Sequence, residues 1–189
     1  MARQRTLEKE RLFEETEKLL LEEGYHSFHF QALSKRLGVA RSTIYNYYSK
    51  KEELVTEYMM YVIDQIMQRM EKAAAIEPFE EKLTAFLRVW IDYADIHQSL
   101  QILPVMDHHA SPLVERNVER LFSFFGTLNR HVQLLIEEGK TSGHIDRNLS
   151  GTALNAIIMS LVRAPNAKLS REVWVDTIYA VLTKGMSPG

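Results

Sequence analysis

Apolar positions recur at three- and four-residue spacing along almost the whole chain, and strand-like alternation is scarce. Leu12, Phe13, Thr16, Leu19 and Leu20 form the first stripe, one buried helix face. Gly24 ends that helix, because glycine accepts the left-handed conformation found beyond a helix C-terminus. Two shorter helical stretches then flank a turn at 38–40. Ser49 and Glu52 have the S-x-x-E spacing of a capping box, which predicts a helix from about Lys50 to about Ala75. Pro78, with Glu80 and Glu81 in a first turn, opens the next helix. A short helix near 98–103 precedes the break at Pro104, and Ser111-Pro112 restarts the pattern as N-cap and first helical residue. A long helix then runs to about Glu138 and a GKTSG turn. Helices at about 152–163 and 171–184 follow, the second capped by Ser170. About nine helices leave no room for a sheet, so the expected class is all-α.

With 189 residues, 46% of them hydrophobic, the chain can bury the core of one domain or two small ones. The absence of cysteine excludes a disulfide framework and thiolate metal sites. MARQRTLEKERLFEETEKLL carries charge throughout and lacks the apolar core of a signal peptide, and no run approaches the roughly 18 apolar residues of a membrane span. A cytoplasmic globular protein is expected. Its net charge of −2 is unevenly shared: residues 1–51 hold ten Lys and Arg against seven Asp and Glu, the remainder thirteen against eighteen. Between Gly24 and Lys51 stand Lys35, Arg36, Arg41, Lys50 and Lys51 without one Asp or Glu. A surface that meets nucleic-acid phosphate needs such a segment, since carboxylates would repel the ligand.

The GVA turn gives this basic segment a shape. Leu33, Leu37, Val39, Ile44 and Tyr47 are apolar where a helix-turn-helix packs its two helices at a steep angle. Gly38 falls where that turn requires a positive φ, and Ser34 is small where the second helix passes close. An αα-hairpin with no nucleic-acid role would share part of this pattern, but not the acid-free surface.

Leu19-Leu20, Gly24-Tyr25, Leu33, Gly38-Val39, Thr43-Ile44-Tyr45, Tyr47-Tyr48 and Lys51-Glu52-Glu53-Leu54 together resemble the N-terminal domain of tetracycline-repressor-type (TetR-family) regulators. The resemblance covers about Glu10 to Leu54; beyond it only the helical layout and a GHIDRNL segment are similar. Two positions depart from the family pattern. His29 stands where Ser or Thr usually caps the second helix and touches phosphate, and Ser34 replaces the common alanine.

Chemistry and the resemblance together imply roles. Arg41, Ser42, Tyr45 and Asn46 face the groove, where Arg41 can read guanine O6 and N7 and Asn46 adenine N6 and N7. Gln31 occupies a position that can reach a base edge. Thr43, Tyr47 and Lys51 look like backbone-positioning contacts, although Tyr47 also fits the packing pattern; Tyr48 reads as core and Lys50 as a solvated charge. The family layout implies a DNA-binding domain at 1–50 and an effector-binding and dimerisation domain at 51–189.

The body supplies the partner surfaces. Small Ala153, Ala156 and Ser160, with Trp174, Thr177, Ile178, Val181 and Leu182 on the last helix, are expected to form a four-helix dimer interface. Charge at Ala156 or Ile178 is expected to break it. Phe86, Trp90, Tyr93, Met106, Phe122 and Phe125 are the candidate lining of an apolar effector cavity. His97, Asp107, His108 and His109 cluster near the Pro104 break, but the adjacent histidines point apart and no His-x-x-x-His pair supports them, so no metal site is assigned. No Cys, phosphate loop or G-x-S-x-G elbow points to catalysis, and no cofactor is called for. The expected function is a dimeric regulator that binds a palindromic operator in double-stranded DNA and is released by a small, mainly apolar effector. The alternative is a DNA-bound adaptor whose body docks a protein.

Overall fold

A computed structural model describes residues 8–100, 102–162 and 169–186; for 93–100 and Val162 the backbone alone is described. These residues form α1 (Lys9–Ser27), α2 (Phe30–Leu37), α3 (Arg41–Tyr45), α4 (Lys51–Ala74), α5 (Phe79–Leu100), a 3-10 turn (Leu103–Val105), α6 (Pro112–Ser142), α7 (Gly151–Val162) and α8 (Arg171–Met186). Among the described residues there is no strand, and no helix is long and apolar enough to cross a membrane.

The chain divides into two compact units, one of residues 1–63 and 98–122, the other of 64–97 and 123–189. In the first unit, Leu12, Phe13, Thr16, Leu19 and Leu20 are all buried, so the first stripe is the core-facing side of α1. Phe13 lies 5.0 Å from the Tyr61 ring and 6.1 Å from Tyr58. Gly24 kinks α1 with φ 74° and ψ 167°, a positive φ that glycine adopts without strain, but in place of the expected left-handed stop one further turn runs on to Ser27. The second unit buries Leu83, Phe86, Trp90, Leu128, Val132, Ile158, Val175 and Ile178.

Two boundaries differ from expectation. In place of a separate helix near 98–103, α5 continues to Leu100 and only the 3-10 turn at Pro104 follows, Gln101 lying outside the described residues. At the other end, α6 runs past Glu138 and stops at Gly143, φ 83°. Gly139 stays helical and, lacking a Cβ, lets Ile145 and Phe79 pack close: a Cβ there would lie 2.6 Å from both Ile145 Cδ1 and Phe79 Cζ. The Phe79 ring is stacked 4.8 Å from His144, which limits how far it can swing aside. Gly139→Ala therefore gains about 1 kcal/mol of helix propensity but loses about 1–3 kcal/mol to overpacking. A net drop in the urea midpoint is expected, and a rise would refute the packing argument.

Candidate nucleic-acid interface

The turn between α2 and α3 is set by Gly38, whose φ of 67° and ψ of 34° are left-handed. Gly38 N–H donates to Lys35 O at 3.3 Å and Val39 N–H to Ser34 O at 3.1 Å, which closes α2. Leu33, Leu37 and Ile44 are buried and hold α2 against α3, and Ser34 is buried with its hydroxyl on Gln31 O at 3.0 Å. Tyr47, the fifth expected packing contact, is instead 55% exposed, and Tyr48 is the buried member of the aromatic pair. Its hydroxyl donates to Glu57 at 2.7 Å. His29 precedes α2 in extended conformation and makes no side-chain cap.

The sequence-assigned contact residues lie on α2, on α3 and the turn after it, and at the first residue of α4. Gln31, Arg41, Ser42, Tyr45, Asn46 and Tyr47 are exposed, while Thr43 and Lys51 are half-buried. Arg41 donates to the Tyr45 hydroxyl at 2.7 Å and lies 5.1 Å over that ring. Tyr45 in turn meets the buried Phe30 ring edge-on at 5.0 Å.

Not every cation of the acid-free segment faces outward in the same way. Arg36 pairs with Glu22 at 2.6 Å and Glu23 at 3.6 Å, so α1 answers its charge. Lys51 donates to Tyr25 O at 3.0 Å and sits 4.1 Å from the Tyr25 ring, which anchors the ammonium at the start of α4. Lys50 is not simply solvated, because its ammonium bonds the Ala110 carbonyl. The capping residue at this junction is Glu53 rather than Glu52: its carboxylate accepts from Ser49 N at 2.8 Å and Ser49 Oγ at 2.9 Å. Glu52 is occupied by the Tyr25 hydroxyl at 2.7 Å. Burial raises the Glu53 carboxyl, but bonds from Ser111, Ser49 and Lys50 outweigh that and hold it below its ordinary value. Burial, and then the bonds to Glu52 and Glu57, push the Tyr25 and Tyr48 phenols well above their ordinary value.

A buried polar link that the sequence does not disclose lies deeper in the same unit. Asn117 Nδ2 donates to Thr56 Oγ1 at 3.2 Å, and Thr56 Oγ1 donates to Glu52 O at 2.9 Å. With the Lys50 and Ser111 contacts, it ties residues 110–117 to the first turns of α4.

The six residues assigned to an effector cavity are divided between the units. In the second unit Phe86 and Trp90 are buried with ring centroids 5.2 Å apart, and Phe125 is half-buried. The Trp90 indole N–H is buried and has no acceptor among the described residues. In the first unit Met106 is buried, whereas Phe122 is 54% exposed and edge-on to His108 at 6.3 Å, so it lines no closed cavity there. The Tyr93 side chain lies outside the described residues, as does that of His97. Among the described residues no three His, Cys, Asp or Glu side chains converge as metal ligands. His108 Nε2 is 2.6 Å from Leu103 O, and His109 pairs with Glu115 at 2.8 Å, which raises its imidazole above the ordinary value. An open recess of about 290 Å³, unforeseen from sequence, is lined by Phe79, Glu80, Leu83, His144, Tyr179 and Met186. His144 Nε2 lies 2.9 Å from Glu80 within it.

On α7 and α8 the apolar residues separate into two faces. Ile158, Val175, Ile178 and Leu182 are buried within their own unit, which removes Ile178 and Leu182 from the expected outer stripe. Ala153, Ala156, Ile157 and Ser160 on α7, and Val173, Thr177 and Val181 on α8, are exposed. Trp174 is half-buried.

Residues 12–58 match the family profile of bacterial regulatory proteins, tetR family. The fatty acid metabolism regulator protein of Bacillus subtilis (strain 168) is 34% identical over 67 residues, which is 35% of this chain and 32% of that protein. The chain thus matches about a third of that relative's length. The fold extends further. A ketosteroid transcriptional regulator of Mycobacterium tuberculosis superposes with a TM-score of 0.75 at 15% identity, covering 96% of this chain and 95% of the other. AibR in complex with isovaleryl coenzyme A and operator DNA gives 0.69 at 16% identity over 92% and 96%.

Proposed function

We propose that this chain, whose residues 12–58 match the profile of bacterial regulatory proteins, tetR family, is a member of that family and a dimeric, sequence-specific DNA-binding regulator in the cytoplasm. Residues 1–50 act as the reader and 51–189 as the effector-binding and dimerisation body. The observation that carries this reading is the outward face of α2 and α3, where Gln31, Arg41, Ser42, Tyr45 and Asn46 are exposed in a segment that holds no carboxylate. Tyr47, Thr43 and Lys51 complete it as phosphate contacts. The operator is a palindrome because two readers related by a twofold axis present their α3 helices about one helical turn, roughly 34 Å, apart.

Selection from random duplexes tests this directly. An inverted repeat should be enriched, and affinity for it should fall steeply with salt as phosphate-bound counterions are released. Asn46→Ala is expected to cost about 1–3 kcal/mol and to relax preference at its own base pair, whereas Lys51→Ala weakens all sequences alike. Failure to enrich any site would overturn the reading.

The protein acts as a repressor rather than an enzyme, released when a small, mainly apolar effector binds the body. AibR is a relative in fold that was found with an acyl thioester, and the Bacillus subtilis relative regulates fatty acid metabolism. Phe86 and Trp90 supply a buried aromatic wall, and the Trp90 N–H suits a carbonyl acceptor on such a compound. Helix α4 contributes residues to both units, so a shift along it changes the separation of the two readers. The adaptor alternative draws on exposed Val105 and Phe122. Purified protein that never loses its operator to any member of an acyl-thioester and lipophile panel would favour the adaptor.

A further inference from the structure

We propose that Tyr45 is a positioning residue for Arg41, and that the two side chains together read one guanine in each half-site. This rests on the DNA-binding reading above and goes beyond it, because Tyr45 then acts through Arg41 rather than on DNA itself. An exposed arginine ordinarily distributes among many rotamers, and ordering it on binding costs affinity. Arg41 is held on two counts: its guanidinium donates to the Tyr45 hydroxyl at 2.7 Å and lies 5.1 Å over the same ring. The spacing of four residues places both side chains on one side of α3, the arrangement a helix uses to pair neighbours.

The platform is itself supported. Tyr45 is 44% exposed, yet its ring is met edge-on by Phe30 at 5.0 Å with an interplanar angle of 77°. Phe30 is the first residue of α2 and is buried, so it transfers the rigidity of the core to the surface tyrosine. Support from outside α3 matters, because α3 spans only five residues. A guanidinium has five N–H donors in a fixed plane, and the phenol oxygen uses one of them. The others remain to meet guanine O6 and N7, the acceptor pair that bidentate arginine recognises. A lysine on the same platform would lack the planar fork.

The test is a base-preference profile, which a purely structural tyrosine would not alter at one position alone. Wild type, Arg41→Ala, Tyr45→Phe, Tyr45→Leu and the Arg41→Ala/Tyr45→Leu pair are compared on the selected operator with each base pair varied in turn. Tyr45→Leu should lower guanine preference at the Arg41 position at least about tenfold, within reach of the loss in Arg41→Ala. Tyr45→Phe, which keeps the ring and loses the hydroxyl, should recover part of it. Adding Tyr45→Leu to Arg41→Ala should change that position no further, the non-additivity of residues that act as a unit. Thermal melting confirms folding, and Tyr45→Phe carries the test if the leucine variant does not fold. A uniform loss across all positions in Tyr45→Leu would make Tyr45 a phosphate contact and overturn the proposal. A gain in affinity would make it a mask over Arg41 and overturn it equally. Both failures differ from failure of the DNA-binding reading, in which wild type selects no site and both proposals fall.

Discussion

Val181→Asp is expected to convert the protein from dimer to monomer and to lower affinity for a full operator by about a hundredfold or more. Ile178 and Leu182 are buried within their own unit, so a charge at Ile178 would damage the fold and say little about assembly. Val181 is 56% exposed, and an aspartate there remains hydrated in the monomer. In a four-helix interface built from α7 and α8, the same substitution puts an unpaired charge into a closed apolar contact. The effective penalty for such an ion is several kcal/mol, and about 3 kcal/mol already exceeds a hundredfold in association. A twofold interface doubles the insult, since each copy brings its own aspartate. Ala156→Asp on α7 should behave alike, because Ala156 is also exposed and lies beside exposed Ile157. Operator affinity falls because one half-site offers only half the contacts. Sedimentation velocity at micromolar concentration, paired with operator titration of the same samples, decides the matter. A Val181→Asp protein that remains dimeric places the interface elsewhere.

What could be read from sequence follows how local each determinant is. The phase of α1, the positive φ at Gly24, the stop at Gly38, and the burial of Leu33, Leu37 and Ile44 depend on residues a few positions apart, and the structure places them as the pattern predicts. Where a distant residue decides, the pattern misleads. The GKTSG turn offers two glycines as helix stops; Gly139 serves the close approach of Phe79 and Ile145 instead, and the positive φ falls at Gly143. Ser49 bonds Glu53 rather than Glu52 because Tyr25, in α1, claims Glu52 first. The Tyr47-Tyr48 pair gives no internal sign of which ring turns inward. In α8 both helix faces are apolar, so periodicity alone cannot separate the core face of Ile178 and Leu182 from the exposed face of Val173 and Val181. No local pattern marks an effector residue. A surplus of aromatic residues marks a wall such as Phe86 and Trp90, but it equally marks Phe122, which is exposed in the other unit.

Alkaline pH should destabilise the DNA-binding unit far more steeply in wild type than in Tyr25→Phe or Tyr48→Phe. Both hydroxyls donate to carboxylates, Tyr25 to Glu52 and Tyr48 to Glu57, each at 2.7 Å, and both rings are buried. Burial opposes the phenolate, and the neighbouring carboxylate opposes it again, so each folded-state pKa is raised above the unfolded value of about 10. For a group whose folded pKa is raised, the stabilising contribution is complete below the unfolded pKa and is lost as pH climbs towards the folded one. Above about pH 10 the unfolded chain releases these protons while the native state keeps them. The native state then binds more protons, and unfolding free energy falls by about 1.4 kcal/mol per pH unit for each tyrosine, about 2.7 for the two. Phenylalanine removes that slope but also removes the hydrogen bond, so each variant starts below wild type at pH 8 and its curve converges on it as pH rises. Urea unfolding between pH 8 and 11 follows both trends, and the double variant should lose both increments of slope. Parallel wild-type and variant curves across that range would show that the phenols titrate alike in the folded and unfolded chains, and that the carboxylate contacts which fasten α1 and the turn after α3 to α4 do not govern the alkaline limit.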